Sequence, residues 1–187
     1  MKPGYPEKIE HSYERHGTLT LIANLEVGSG RIINPTIGPT RTELDFVNHI
    51  KQTVSDDGKW IFVLDQLNTH KSESLVKYVA AECGIDENQL GVKGKIGILK
   101  SMETRKDFLE SPEHSIQFVY TPKHTSWLNQ IEIWFGTLTK KLLRRGSFKS
   151  LKELKDRILE FIEHFNETMA KVFKLFKWTY SGRVLQS

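Results

Sequence analysis

The 187-residue sequence holds a single cysteine, Cys83. One thiol excludes an internal disulfide and a cysteine-based zinc site, and it fits a reducing cytoplasm. Its place in VAAECG, late in an apolar helical pattern, reads as a buried structural thiol rather than a nucleophile. Long apolar runs are lacking too. None approaches the roughly 20 residues of a membrane-spanning helix. The opening MKPGYPEKIEHSYERHG is polar and charged, so neither a signal peptide nor a membrane anchor is expected. The seven histidines include no H-x-x-x-H pair or comparable zinc spacing. No repeat of solenoid length runs through the chain.

What is present is an ordinary soluble composition, 38% apolar and 27% charged, enough for one full domain. The net charge of +4 is unevenly spread: from Lys123 onward 13 Lys/Arg accompany 6 Asp/Glu, against 14 and 17 in the first 122 residues. A basic C-terminal third beside a mildly acidic body points to a polyanionic partner, nucleic acid first. A lysine-rich solvated helix face accounts for the same count.

Residues 1–16 read as an extended lead-in. GTLTLIANLEV, from Gly17 to Val27, alternates, with Leu19, Leu21, Ala23 and Leu25 on one face of a strand. Gly28, Ser29 and Gly30 supply the positive-φ residues of a tight turn, and RIINPT returns as a strand that ends at Pro35 or lies at an edge. Thr40 to Glu43 has capping-box spacing for a helix near 42–55, carrying Phe46, Ile50 and Val54, with Asp45 on its solvated face. WIFVLD, ending at Asp65, has the continuous apolar character of a strand covered on both faces. Leu75, Val76, Val79, Ala80 and Cys83 form a helical stripe closed by Gly84. GVKGKIG reads as a flexible loop, SMETRKDFL as a short helix, and IQFVYT as a strand stopped by Pro122. Ser126 can cap a helix through Leu128, Ile131, Phe135, Leu138 and Leu142, and Ser150 with Glu153 opens another through Leu154, Ile158, Phe161, Ile162 and Phe165. The order implies an α/β fold with a mixed sheet and flanking helices.

Asp65 ends its strand, where open α/β sheets present functional side chains. Glu132 lies one turn into the helix after IQFVYT, with Asn129 three residues earlier on the same face. If the two strands are neighbours, Asp65 and Glu132 meet over the sheet ends. Carboxylate oxygens suit Mg²⁺ or Mn²⁺, and two such ions clamp both oxygens of a phosphodiester exchange. Plainer roles stay open. Asp65 can be a turn former or helix cap, Glu132 a solvated helix residue, and Asn68 with Thr69 a cap. His70 can be a metal ligand, a phosphate contact or a hydrogen-bonding residue.

VLDQLNTHKS and YTPKHTSWLNQIEIWF together resemble the catalytic core of IS630-type transposases, within the Tc1/mariner superfamily. YERHGTLTLIANLEVGSG, GPTRTELDFVNHI, LLRRGSFKSLKEL and FKWTY look like parts of the same family, so the resemblance covers nearly the whole chain. It implies an RNase H-like domain over residues 17–170, a C-terminal tail over 171–187, and an Asp-Asp-Glu site. Its reaction is metal-dependent nicking of transposon ends followed by strand transfer into target DNA. Asp65 is then the second carboxylate and Glu132 the third, with Asn68, His70 and Asn129 supporting them. Lys123, His124 and Ser126, then Lys140, Lys141, Arg144 and Arg145, become contacts to DNA phosphates. Trp127 and Trp134 can stack on bases or pack in the core. The family's dimeric assembly and nucleoid location follow by analogy.

In the family the first aspartate lies on a central strand upstream of the segment matching YERHGTLTL. No such strand is read before Gly17, so the first carboxylate is expected to be absent. Activity then depends on another polypeptide, such as an upstream-encoded fragment, supplying it, and two Mg²⁺ or Mn²⁺ ions are expected only in that case. Without it, the expectation is a DNA-binding remnant. A second departure is FNETMAKVFKLFKWTY, where near-duplicate VFK and LFK leave the register of 171–178 open.

Overall fold

The computed structural model describes residues 17–55, 58–122 and 129–168. Strands β1 (Thr20–Glu26) and β2 (Arg31–Gly38) form an antiparallel hairpin. Gly30 closes its turn at φ +73°, and its N–H donates to the Glu26 carbonyl at 2.7 Å. Gly28, expected to share the positive φ, does not. Alternation sends Leu21, Ala23 and Leu25 to one core and Ile22 to another.

Pro35 does not end β2. Ile22 pairs with Thr36 and Asn24 with Ile33, so Ala23 stands opposite both Asn34 and Pro35. The proline thus sits in a bulge, outside the regular ladder, where its missing N–H costs no pairing bond. Asn34 absorbs the kink at φ +46°.

Helix α1 (Glu43–Thr53) is capped two residues later than the sequence spacing suggests: Thr42 and Asp45 form the reciprocal box. Asp45 therefore works as a cap, its carboxylate accepting from the Thr42 N–H and from the Thr40 and Thr42 hydroxyls at 2.7–2.8 Å. Those bonds hold it below the usual carboxylate range, the Thr42 N–H first among them.

Strands β3 (Trp60–Leu64) and β4 (Ile116–Tyr120) pair in parallel, from Trp60 opposite Ile116 to Leu64 opposite Tyr120. On one face Phe62 and Phe118 stack at 5.4 Å, in a core shared with α1, α2 (Glu73–Glu82) and α3 (Met102–Leu109). The expectation that β3 is covered on both faces is corrected. Ile61 is 58% and Val63 40% exposed, with Val119 beside them, because α1, α2 and α3 pack on the opposite side.

Ser72, rather than Asn68 or Thr69, caps α2, accepting from the Leu75 N–H. Cys83 caps the other end and is partly buried against the core. The expected flexible loop at GVKGKIG is a tight double turn, in which the Val92 N–H donates to the Ile96 carbonyl and Leu99 to Leu90, both at 3.0 Å. Gly91 and Gly97 pass back to back at positive φ, and a Cβ on Gly91 would meet the Ile96 carbonyl.

Helix α4 (Gln130–Leu138), a π-turn (Thr139–Leu143) and α5 (Leu151–Thr168) complete the described chain. Trp134, Leu138, Ile158, Ile162 and Phe165 pack against Leu21, Ala23, Leu25, Ile32 and Ile37 of the hairpin. Of the two roles considered for Trp134, the fold takes core packing. The Asn166 amide brackets Ile32, accepting from its N–H and donating to its carbonyl at 2.8 Å each. At the start of α5 the Ser150 hydroxyl accepts from the Glu153 N–H, while the Glu153 carboxylate accepts from the Lys149 N–H, so half of the expected capping box forms.

In place of one mixed sheet there are two sheets of two strands. Among the described residues no strand pairs with β1 opposite β2, or with β3 opposite β4. Ile22 of β1 and Phe62 of β3 nevertheless join the same core. The readings for residues 1–16, for 171–187 and for Ser126 as a helix cap fall outside the described residues.

Candidate functional site

Asp65 follows the last ladder bond of β3, where the Thr121 N–H donates to the Leu64 carbonyl at 2.8 Å. The chain then turns through a 3₁₀ segment, Asn68–Lys71, into α2. That turn folds back on Asp65. Its Oδ1 accepts from the Leu67 N–H at 3.1 Å and from His70 Nδ1 at 2.8 Å. No described residue donates to Oδ2.

The His70 bond is the main cause holding the Asp65 carboxyl below the usual range, with Leu67 N–H and the charges of His70 and Lys71 assisting against burial. Asp65 is therefore ionised at neutral pH. His70 is itself fixed on two sides: its ring lies 4.4 Å from that of Phe46, and its carbonyl accepts from the Tyr120 hydroxyl at 2.6 Å. Of the roles left open for His70, the structure shows a hydrogen bond, to Asp65. Asn68 is exposed and makes no hydrogen bond to Asp65.

Glu132 lies exposed in the first turn of α4. Asn129 was expected to share its face as a supporting group. It is the N-cap of α4, its Oδ1 accepting from the Ile131 N–H at 3.4 Å and so satisfying a first-turn donor. No hydrogen bond joins Glu132 to Asp65, and among the described residues no three His, Cys, Asp or Glu gather as a metal-holding group.

Asp65 Oδ2, anionic and partly exposed, fits a hard divalent cation as one ligand. The described residues alone do not complete a ligand set. Lys140, Lys141, Arg144 and Arg145 stand exposed at and just after the π-turn, while Lys123, His124, Ser126 and Trp127 lie outside the described residues.

Sequence reasoning missed a second tier around Asp65. Gln66 Nε2 donates to the Thr121 carbonyl at 2.7 Å, and the buried Lys71 donates to Gln66 Oε1 at 2.9 Å. Neither residue's type nor its spacing in VLDQLNTHKS marks it for this role, because the partner of Gln66, Thr121, lies 55 residues away. A cleft between α1 and α2, lined by Leu44, Lys51 and Tyr78, lies apart from Asp65.

The family model described as DDE superfamily endonuclease matches residues 1–155, a span that takes in both strand pairs, Asp65 and Glu132. No curated protein and no solved structure matches the chain. With most of its length inside that match, the chain belongs to the DDE superfamily endonucleases.

Proposed function

We propose that the protein cuts and joins DNA in transposition of the IS630 type, with Asp65 and Glu132 as two of three metal-binding carboxylates. The observation that carries this is Asp65: a carboxylate at a strand end, kept ionised, with one oxygen bound by His70 and Leu67 and the other without a donor among the described residues. Mg²⁺ or Mn²⁺, when bound, supplies Lewis acidity to the phosphodiester and to water. Asp65 and Glu132 are the residues that would hold it. The Asp65 anion adds no proton-transfer burden, and His70 fixes its orientation. Lys140, Lys141, Arg144 and Arg145 neutralise backbone phosphates.

This reading requires a further carboxylate. The edges of β1 and β3 that no described strand pairs with are where a strand carrying it would hydrogen-bond, whichever polypeptide provides it. Each buried backbone group satisfied there is worth roughly 1–3 kcal/mol.

The test is nicking of supercoiled plasmid by the full chain in Mg²⁺ or Mn²⁺. Asp65→Asn and Glu132→Gln should each lose more than about 100-fold, beyond the 10–100-fold typical of supporting residues. Nicking that survives either change rules out that carboxylate. The absence of a three-acid group among the described residues favours one second reading, a DNA-binding protein without cleavage. It predicts no nicking, and salt-sensitive binding indifferent to Mg²⁺ and to both substitutions.

A further inference from the structure

Lys71 is only 8% exposed, although it carries a full charge beside the Asp65 turn. Burying an ammonium is costly unless it is hydrogen-bonded. The charged end has a specific use. Lys71 Nζ donates to Gln66 Oε1 at 2.9 Å and lies 5.7 Å from the Tyr120 ring centroid. An ammonium can only donate, so it demands the oxygen end of the glutamine amide. The amide nitrogen is thereby turned to the Thr121 carbonyl, 2.7 Å away.

Two more bonds close the circuit: Tyr120 hydroxyl to the His70 carbonyl at 2.6 Å, and Thr121 N–H to the Leu64 carbonyl at 2.8 Å. Segment 64–71 carries Asp65. Residues 120–121 are where the chain leaves β4 toward α4 and Glu132. The circuit ties the Asp65 turn to the exit of β4.

We propose that Lys71 is a positioning residue: by fixing the Gln66 amide it locks the Asp65 turn and the exit of β4 into one unit. Its consequence for metal binding rests on Asp65 being a ligand; the lock itself does not.

Two measurements on the full chain separate these. Without metal, hydrogen exchange at the Leu67 and Thr121 amides should quicken about 10-fold in Lys71→Met and in Gln66→Ala, with Val79 in α2 unchanged. The double variant should be no faster than either single one, since both cut the same link. Mn²⁺ affinity, read by water-proton relaxation, should weaken about 10-fold in Lys71→Met. Loss of a nearby positive charge would by itself tighten it. Unchanged exchange at both amides, or additive effects, overturns the lock, and unchanged or tighter Mn²⁺ binding overturns its role at the metal. Should Lys71→Met fail to fold, Gln66→Ala carries both readouts. Asp65→Asn is the control: if it binds Mn²⁺ like the parent chain, the metal reading fails and exchange alone judges the lock.

Discussion

His49 makes the protein acid-sensitive in a calculable way. It sits on α1 at 1% exposure, with Nδ1 sharing a hydrogen bond with Thr36 Oγ1 of β2 at 2.9 Å. Its Nε2 is buried and has no partner among the described residues, so a second ring proton would find no acceptor there. Burial pushes the imidazole down to about 4, whereas an unfolded chain titrates near 6.5. Below about pH 6.5 the unfolded state takes up a proton that the fold refuses until about pH 4, so stability falls as pH drops through that window. Linkage gives a loss of about 2 kcal/mol between pH 7 and 5, and about 3 kcal/mol by pH 4. His114, also lowered chiefly by burial, acts in the same direction. Urea unfolding followed by tryptophan fluorescence at pH 7, 6 and 5 measures this. His49→Asn keeps a polar atom near the Nδ1 position but does not titrate. It should carry a pH-independent cost from the smaller side chain and a profile flatter by about 2 kcal/mol. Equal losses in the parent chain and the variant from pH 7 to 5 would refute the reasoning.

Trp134→Ala should cost about 3–5 kcal/mol in urea unfolding, since the ring is fully buried against Phe135, Phe161 and Phe165. Trp134→Phe should cost far less, because it also removes an indole N–H that is buried without a partner among the described residues; similar losses for both would contradict this. Replacing Lys140, Lys141, Arg144 and Arg145 by glutamine should reduce the slope of log affinity against log salt on duplex DNA by about 0.9 for each phosphate no longer neutralised. An unchanged slope would place DNA on another face.

Local patterns were legible where a single period decides the outcome. The alternation of β1 and the three-four stripes of α4 and α5 predict which residues reach the hairpin core, and Leu21, Leu25, Leu138 and Ile162 are found there. Where two local solutions compete, sequence spacing was insufficient. Thr40 with Glu43 and Thr42 with Asp45 have the same spacing, and only the extended backbone at Thr42 selects the second. The apolar run of β3 suggested two covered faces, but an apolar side chain does not itself supply a neighbour, and Ile61 stays exposed.

At the candidate site, Asp65 and His70 are five residues apart and their pairing is local. Lys71, Gln66, Tyr120 and Thr121 are linked across more than fifty residues, through the β3–β4 register. Nothing in VLDQLNTHKS shows that its glutamine faces another strand. Asn129 shows the converse problem, since an asparagine three residues before a glutamate suits a ligand shell and a helix cap equally well.

The most direct test of the central claim is whether Asp65 and Glu132 share one ion. Mn²⁺ can be titrated into the isotope-labelled full chain while paramagnetic broadening is followed at every amide. The account predicts that signals of Asp65, Leu67 and His70 fade together with those of Ile131 and Glu132 at the same Mn²⁺ concentration, and that Asp65→Asn abolishes both sets. Fading of only one set, or broadening that Asp65→Asn leaves intact, would contradict it.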